Sequence, residues 1–267
     1  MKKRGVRIMI IIVAVLAAVI LWIAFCGFQW SWGPFAKLHD VKTAGLPDNG
    51  TRYALDTVPA VPNSPLEGAT VVFLGSSVTY GASSNGVSFA DYIGARSGCT
   101  VVKEAVSGTT LVDGGIGSYI SRLKKLDVSQ ADLFVCQLST NDATQGKPLG
   151  KVSDSRRTEE FDTSTVAGAM EYIIAYAREA WDCPIVFYTN PRYDSPTYGE
   201  MVSLLHALAD KWDITVIDLW NDGAFNDITA EQRALYMAGT IHPTQAGYLE
   251  WWTPAMEPLL YQAMEGT

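Results

Sequence analysis

The sequence predicts an α/β domain of three layers, with helices on both faces of a central parallel sheet of about five strands, preceded by one transmembrane helix. Short runs rich in β-branched and aliphatic residues, without polar alternation, recur at 70–74, 100–106, 132–138, 184–189 and 214–218. Such runs suit strands buried on both faces. The segments between them carry apolar residues at helical spacing, and several runs end in glycine or small polar residues, where open α/β sheets place their ligands.

The first element is the amino-terminal apolar stretch. Lys2, Lys3, Arg4 and Arg7 precede residues 8–28, which carry no charge. A helix of that length spans about 31 Å, the thickness of a bilayer's hydrocarbon core. The run is long for the apolar part of a cleaved signal and lacks a small-x-small cleavage site, so a signal anchor is preferred over cleavage. Phe25, just before Cys26, speaks against a lipoprotein signal. The cationic flank predicts a cytoplasmic amino terminus, with Trp22, Phe25, Phe28, Trp30 and Trp32 as an aromatic belt at the outer interface. Residues 29–69 contain several prolines and read as an extended, semi-rigid extracytoplasmic linker holding a domain of residues 70–267 off the membrane.

Within that domain, residues 70–74 form the first strand and break off at Gly75-Ser76-Ser77. A serine at such a turn stands at the mouth of the crevice, which makes Ser77 the candidate nucleophile. A serine hydroxyl needs a base, and histidine has the pKa for it. The chain has 3 histidines. His242 stands just ahead of a helix that Pro243 and Thr244 would start, whereas His206 lies inside a helical pattern and His39 in the linker. After the turn, 87–96 reads as a helix, 100–106 as a strand ending in Ser107-Gly108, and 116–126 as a helix. Residues 132–138 follow as a central strand ending in Ser139-Thr140-Asn141-Asp142. The polar stretch 143–161 is a long loop on the crevice side, either a cover for the substrate or a solvated insertion. Helices over 162–181 and 201–212 flank the strand 184–189, and 214–218 is the last strand. The aromatic tail 244–264 is a core-facing stripe in preference to a carbohydrate platform, and Pro254 and Pro258 should interrupt a single long helix there.

Four blocks, Gly75-Ser76-Ser77-Val78-Thr79, Ser107-Gly108, Ser139-Thr140-Asn141-Asp142 and His242-Pro243, resemble in order those of the SGNH (GDSL-like) hydrolases, a family of esterases and lipases. The resemblance implies a flavodoxin-like sheet and hydrolysis of a carboxylic ester by Ser77 and His242. It also implies an oxyanion hole from the backbone N–H groups of Ser77 and Gly108 and the amide of Asn141, without metal or organic cofactor. Apart from the family, Gly108 is also readable as a turn glycine and Asn141 as an Asx-turn residue. The implied partners are a small-molecule, glycan or lipid ester and, through residues 8–28, the membrane.

Three departures stand out. Ser76 and Ser139 replace residues common in the family, and Gly239 stands where the family has the acid of Asp-x-x-His. Asp218, Asp222 and Asp227 are the alternative orienting acids; a backbone carbonyl in that role, or lost activity in a glycan- or lipid-binding module, are the other readings. The net charge of −8 speaks against nucleic-acid binding. Cys26, Cys99, Cys136 and Cys183 lack metal-ligand spacing and read as free thiols.

Overall fold

The computed structural model describes residues 2–30, 33–35, 37–115 and 117–266; Trp32 of the expected belt and Ile116 of the expected helix lie outside them. In chain order, α1 (Lys2–Trp30) and α2 (Leu38–Thr43) precede the sheet domain. There follow β1 (Thr70–Gly75), α3 (Ser77–Tyr80), α4 (Phe89–Ser97), β2 (Thr100–Ala105), α5 (Tyr119–Leu123), β3 (Leu133–Gln137) and α6 (Thr140–Thr144). The second half contains α7 (Val166–Trp181), β4 (Ile185–Tyr188), α8 (Pro196–Trp212), β5 (Thr215–Ile217), α9 (Gly223–Asn226) and α10 (Ala230–Tyr236). The chain ends with α11 (Gln245–Gly247), a π-helical turn at Tyr248–Trp252 and α12 (Thr253–Glu265).

The five strands are all parallel, in the order β2-β1-β3-β4-β5. Alternate side chains along each strand divide the core into two. Val72, Leu74, Phe134, Cys136 and Phe187 face α5, α7 and α8, while Val71, Phe73, Leu133, Val135 and Tyr188 face α4 and α12. Burial on both faces explains why these strands read as unbroken apolar runs. Strand order reverses between β1 and β3, and the crevice at that switch point is where this topology leaves room for a ligand.

Several boundaries differ from expectation for local reasons. Helix α8 starts at Pro196, ahead of the apolar repeat, because Ser195 caps it by accepting from the Tyr198 N–H and proline suits its first turn. The residues between β5 and His242 hold α9 and α10, too short for periodicity to reveal. The carboxyl-terminal aromatics face the core as expected: Tyr248, Trp252, Met256 and Leu260 are buried, and Trp252 stacks on Phe89. Pro258, however, does not break α12. Pro254 sits in that helix's first turn, where no N–H is needed, and the wider π turn precedes it.

The largest correction concerns residues 29–69. They do not run out as an extended spacer. Helix α1 continues to Trp30, and after α2 come three 3₁₀ turns, Pro47–Asn49, Thr51–Tyr53 and Leu55–Thr57. Tyr53 is buried and its carbonyl accepts from the Tyr92 hydroxyl at 2.7 Å. Even the proline-rich part lies along the domain, with the Val61 N–H donating to the Arg96 carbonyl at 2.7 Å. Prolines here open tight turns that buried partners hold in place.

Candidate active site

The site begins with the end of β1. The strand stops at Gly75, where a Cβ would collide with Thr79, and Ser77 opens the four-residue helix α3. A hub fixes this turn from below. The Gln137 side-chain oxygen, at the end of β3, accepts from the Ser76 N–H at 2.9 Å and from the Thr79 hydroxyl at 2.8 Å, and the Thr79 and Tyr188 hydroxyls share a 2.7 Å hydrogen bond. Buried Arg122 donates to the Gly75 carbonyl at 2.8 Å and to the Glu104 carbonyl at 2.8 Å, tying β1 to β2 beside the same turn. Ser76 is wholly buried in this network, so it supports the turn and does not face the crevice.

His242 reaches Ser77 from the other end of the chain. Its Nε2 lies 2.7 Å from Ser77 Oγ. The loop that carries it is clamped by an antiparallel bridge between Met237 and Pro243, by the Ala238 N–H on the His242 carbonyl, and by Thr244, whose hydroxyl donates to the Leu235 carbonyl and accepts from the Gly247 N–H. With Nε2 accepting from the serine hydroxyl, the neutral ring carries its proton on Nδ1. Burial first, and then the neighbouring positive charge of His39, push the His242 pKa down to about 4. A carboxylate partner would oppose that shift.

The three carboxylates considered for that partner are engaged elsewhere or exposed. Asp218 lies 2.6 Å from His206 Nε2 and accepts from Asn221; burial works to raise its pKa, but these hydrogen bonds hold it below the usual carboxylate value. Asp222 caps α9 by accepting from the Phe225 N–H. Asp227 is exposed after α9. Among the described residues none of the three bonds to His242. Gly239 faces open space, with nothing within 4 Å of the position of a Cβ.

The expected oxyanion donors come from three strand ends on the same side of the sheet. Gly108, after β2, has φ +80°, which only glycine adopts readily. Among the described residues the backbone N–H groups of Ser77 and Gly108 make no hydrogen bond. The Asn141 side chain is partly committed: its Nδ2 donates to the Thr109 carbonyl at 3.0 Å, which leaves one amide hydrogen for a substrate oxygen and fixes the direction of the group. Ser139 explains its own departure from glycine. Its backbone is extended, with no positive φ to satisfy, and its hydroxyl caps α6 by accepting from the Asn141 N–H at 3.1 Å.

Asp142 is buried, and its carboxylate accepts from the Leu111 and Val112 N–H groups, joining the loop after β2 to that after β3. Burial pushes its pKa up, opposed by those hydrogen bonds. Beside Gly108 opens a polar cavity of about 180 Å³, lined by Thr109, Gly115, Ser118, Gln145 and Lys147 among others. Only the start of the 143–161 loop thus reaches the crevice. Its later part is held against α7 and α8, where Lys211 binds the Ser153 and Ser155 carbonyls and the buried Glu171 carboxylate.

Four residues that matter here were not singled out by the sequence. Gln137 left a trace, a lone amide closing an apolar strand. Arg122 left none, nor did Asn49, whose side-chain oxygen accepts from the Gln245 N–H at 2.7 Å, three residues after His242. His39 has only its rarity: it is buried in α2, and its Nδ1 lies 2.9 Å from the Phe28 carbonyl.

Comparison with known proteins bears on the family and the fold. The sequence profile of the GDSL-like Lipase/Acylhydrolase family matches residues 73–249. No curated protein matches. Among solved structures, a Lactobacillus plantarum protein superposes with a TM-score of 0.62 at 18% identity, covering 73% of this chain and 98% of that one. The acetyl xylan esterase AlAXEase does so with a TM-score of 0.52 at 13% identity, over 72% of this chain and 99% of that one. An active-site mutant of a family two carbohydrate esterase from Clostridium thermocellum gives a TM-score of 0.52 at 15% identity, over 75% of this chain and 65% of that one. At such identities the structural likeness is one of fold. With the profile running from β1 through the His242 block, the chain belongs to the GDSL-like lipase and acylhydrolase family of hydrolases.

Proposed function

We propose that this protein is a serine esterase held at the membrane by α1, with its catalytic domain outside the cytoplasm, hydrolysing short acyl esters by a Ser-His pair. The observation that carries the reading is the 2.7 Å contact between Ser77 Oγ and His242 Nε2, side chains 165 residues apart in sequence. Ser77 Oγ attacks the ester carbonyl as its proton passes to His242 Nε2. The developing oxyanion lies towards the Ser77 and Gly108 N–H groups and the uncommitted hydrogen of Asn141, donors worth roughly 3 to 4 kcal/mol each in comparable sites. The imidazolium returns the proton to the leaving alcohol, and a water deprotonated by the same ring releases the acid from Ser77. The small polar cavity beside Gly108 suits an acetyl-sized group better than a long chain.

Anchoring is favoured over a cleaved signal because the end of α1 is built into the fold. Residues Arg4–Gln29 are long and apolar enough to cross a bilayer, while Cys26 is buried and the Phe28 carbonyl engages His39.

The test is acetate release from 4-methylumbelliferyl acetate by the full chain. Ser77→Ala and His242→Ala should each lower kcat/KM by roughly a thousandfold or more. A wild type no faster than either variant would instead favour the second reading, a binding module, for which the unfilled position at Gly239 is the supporting observation.

A further inference from the structure

The chain between α1 and the sheet domain is tied to the segments that follow Ser77 and His242. It turns back on α1 tightly, since a Cβ at Gly27 would strike the backbone of Phe35. Helix α2 then lies with two faces. His39 and Thr43, one turn apart, are buried against the catalytic domain, whereas Leu38 and Val41, also one turn apart, are exposed, Val41 to 70%. The buried face is fastened to both catalytic elements. The Thr43 hydroxyl donates to Asn85 just beyond the nucleophile turn. The Asn49 amide donates to the Thr43 and Ser83 carbonyls at 2.9 and 2.8 Å, and its oxygen accepts from the Gln245 N–H at 2.7 Å, three residues after His242.

Distances along this path are short. The Phe28 carbonyl, in the last turn of the apolar stretch, lies 2.9 Å from His39 Nδ1. His39 thus joins the end of the bilayer-length helix to α2, whose other buried residue, Thr43, reaches the nucleophile side through Asn85. The open face of α2 continues the apolar surface of α1, where Phe25 and Phe28 are exposed, and Lys37 and Lys42 flank it with the charge that anionic headgroups attract.

Given the anchored-esterase reading, on which this inference rests, we propose that the alcohol side of the substrate is a membrane-resident lipid. Its short acyl ester is offered at the bilayer surface beside α2 and reaches Ser77 without leaving the membrane. The bilayer itself covers the Leu38 and Val41 face.

The experiment reconstitutes the full chain in phosphatidylcholine vesicles containing phosphatidylglycerol and doped with 1,2-dioleoyl-3-acetylglycerol. Acetate release is compared with turnover of water-soluble 4-methylumbelliferyl acetate by the same vesicles. The variant is Leu38→Glu with Val41→Glu, two exposed positions outside the catalytic machinery, whose new charges disfavour seating at an anionic interface. Release from the acetylated lipid should fall roughly tenfold or more while the soluble ester is turned over within about twofold of wild type, which also reports a correct fold. A ratio of the two rates that the variant leaves unchanged overturns the proposal. So does a wild type that cleaves the soluble ester but not the lipid. Failure on both esters removes the esterase reading and this proposal with it.

Discussion

On the proposed reading His242 acts as a base while burial works against its charge and no carboxylate among the described residues works for it. The sign follows from the lowered pKa: the ring is neutral, and able to accept the Ser77 proton, at every pH above about 4. The acid limb of kcat/KM should therefore fall near pH 4 and leave activity flat through neutrality, where an unperturbed imidazole would lose it near 6.5. Gly239→Asp has the room to place a carboxylate at the family's position. It should move that limb upward by about one unit or more and raise kcat, because the imidazolium gains a partner. A pH profile of the two proteins on one soluble ester checks this; superimposable limbs would show that the new carboxylate does not reach the ring. The pairing of Ser77 with His242, 2.7 Å apart, was legible in the sequence because each sits in a short motif with its own chemistry. The destination of Asp218 was not, since its partner His206 is chosen by the packing of α8 on β5.

At the scale of elements, the strands were readable because burial on both faces leaves an unmistakable apolar run, and the long helices because their caps and periods agree. The 29–69 stretch misleads for a physical reason: prolines favour extended chain and tight turns alike, and only buried partners decide between them. Asn49 is that partner for three segments at once. Asn49→Ala would take the partner from the Gln245 N–H and the Ser83 carbonyl and one of two donors from the Thr43 carbonyl, which keeps the Leu46 N–H, and should destabilise the protein by roughly 2 to 4 kcal/mol in chemical denaturation. It should also lower kcat on a soluble ester, since the first turn after His242 loses its tether. A variant with unchanged midpoint and kcat would show that the three segments hold without it.

Across the whole molecule, two layers of helices close on one sheet, and the crevice lies where the strand order reverses, so the fold alone brings the ends of β1, β2 and β3 together. The polar insertion 143–161 is accommodated by a buried pair on the far layer. Lys211 neutralises Glu171, which is wholly buried. Lys211→Met would strand that carboxylate and should cost about 3 to 5 kcal/mol in urea unfolding. kcat/KM of the folded protein should stay near wild type, because neither group belongs to the Ser77 network. Equal losses in stability and kcat/KM would mean that the insertion supports the crevice directly.

On the proposed anchored reading, the hydrogen bond between His39 and the Phe28 carbonyl bears on how the protein would be released from a membrane. Proteolytic shedding in the turn between α1 and α2 would separate the sheet domain from α1 and, in the same cut, remove the acceptor that holds His39. On that reading anchor and hydrolase are not interchangeable modules, because a shed form, or a chimera on a foreign anchor, would lose the contact that ties His39 in α2 to the end of α1.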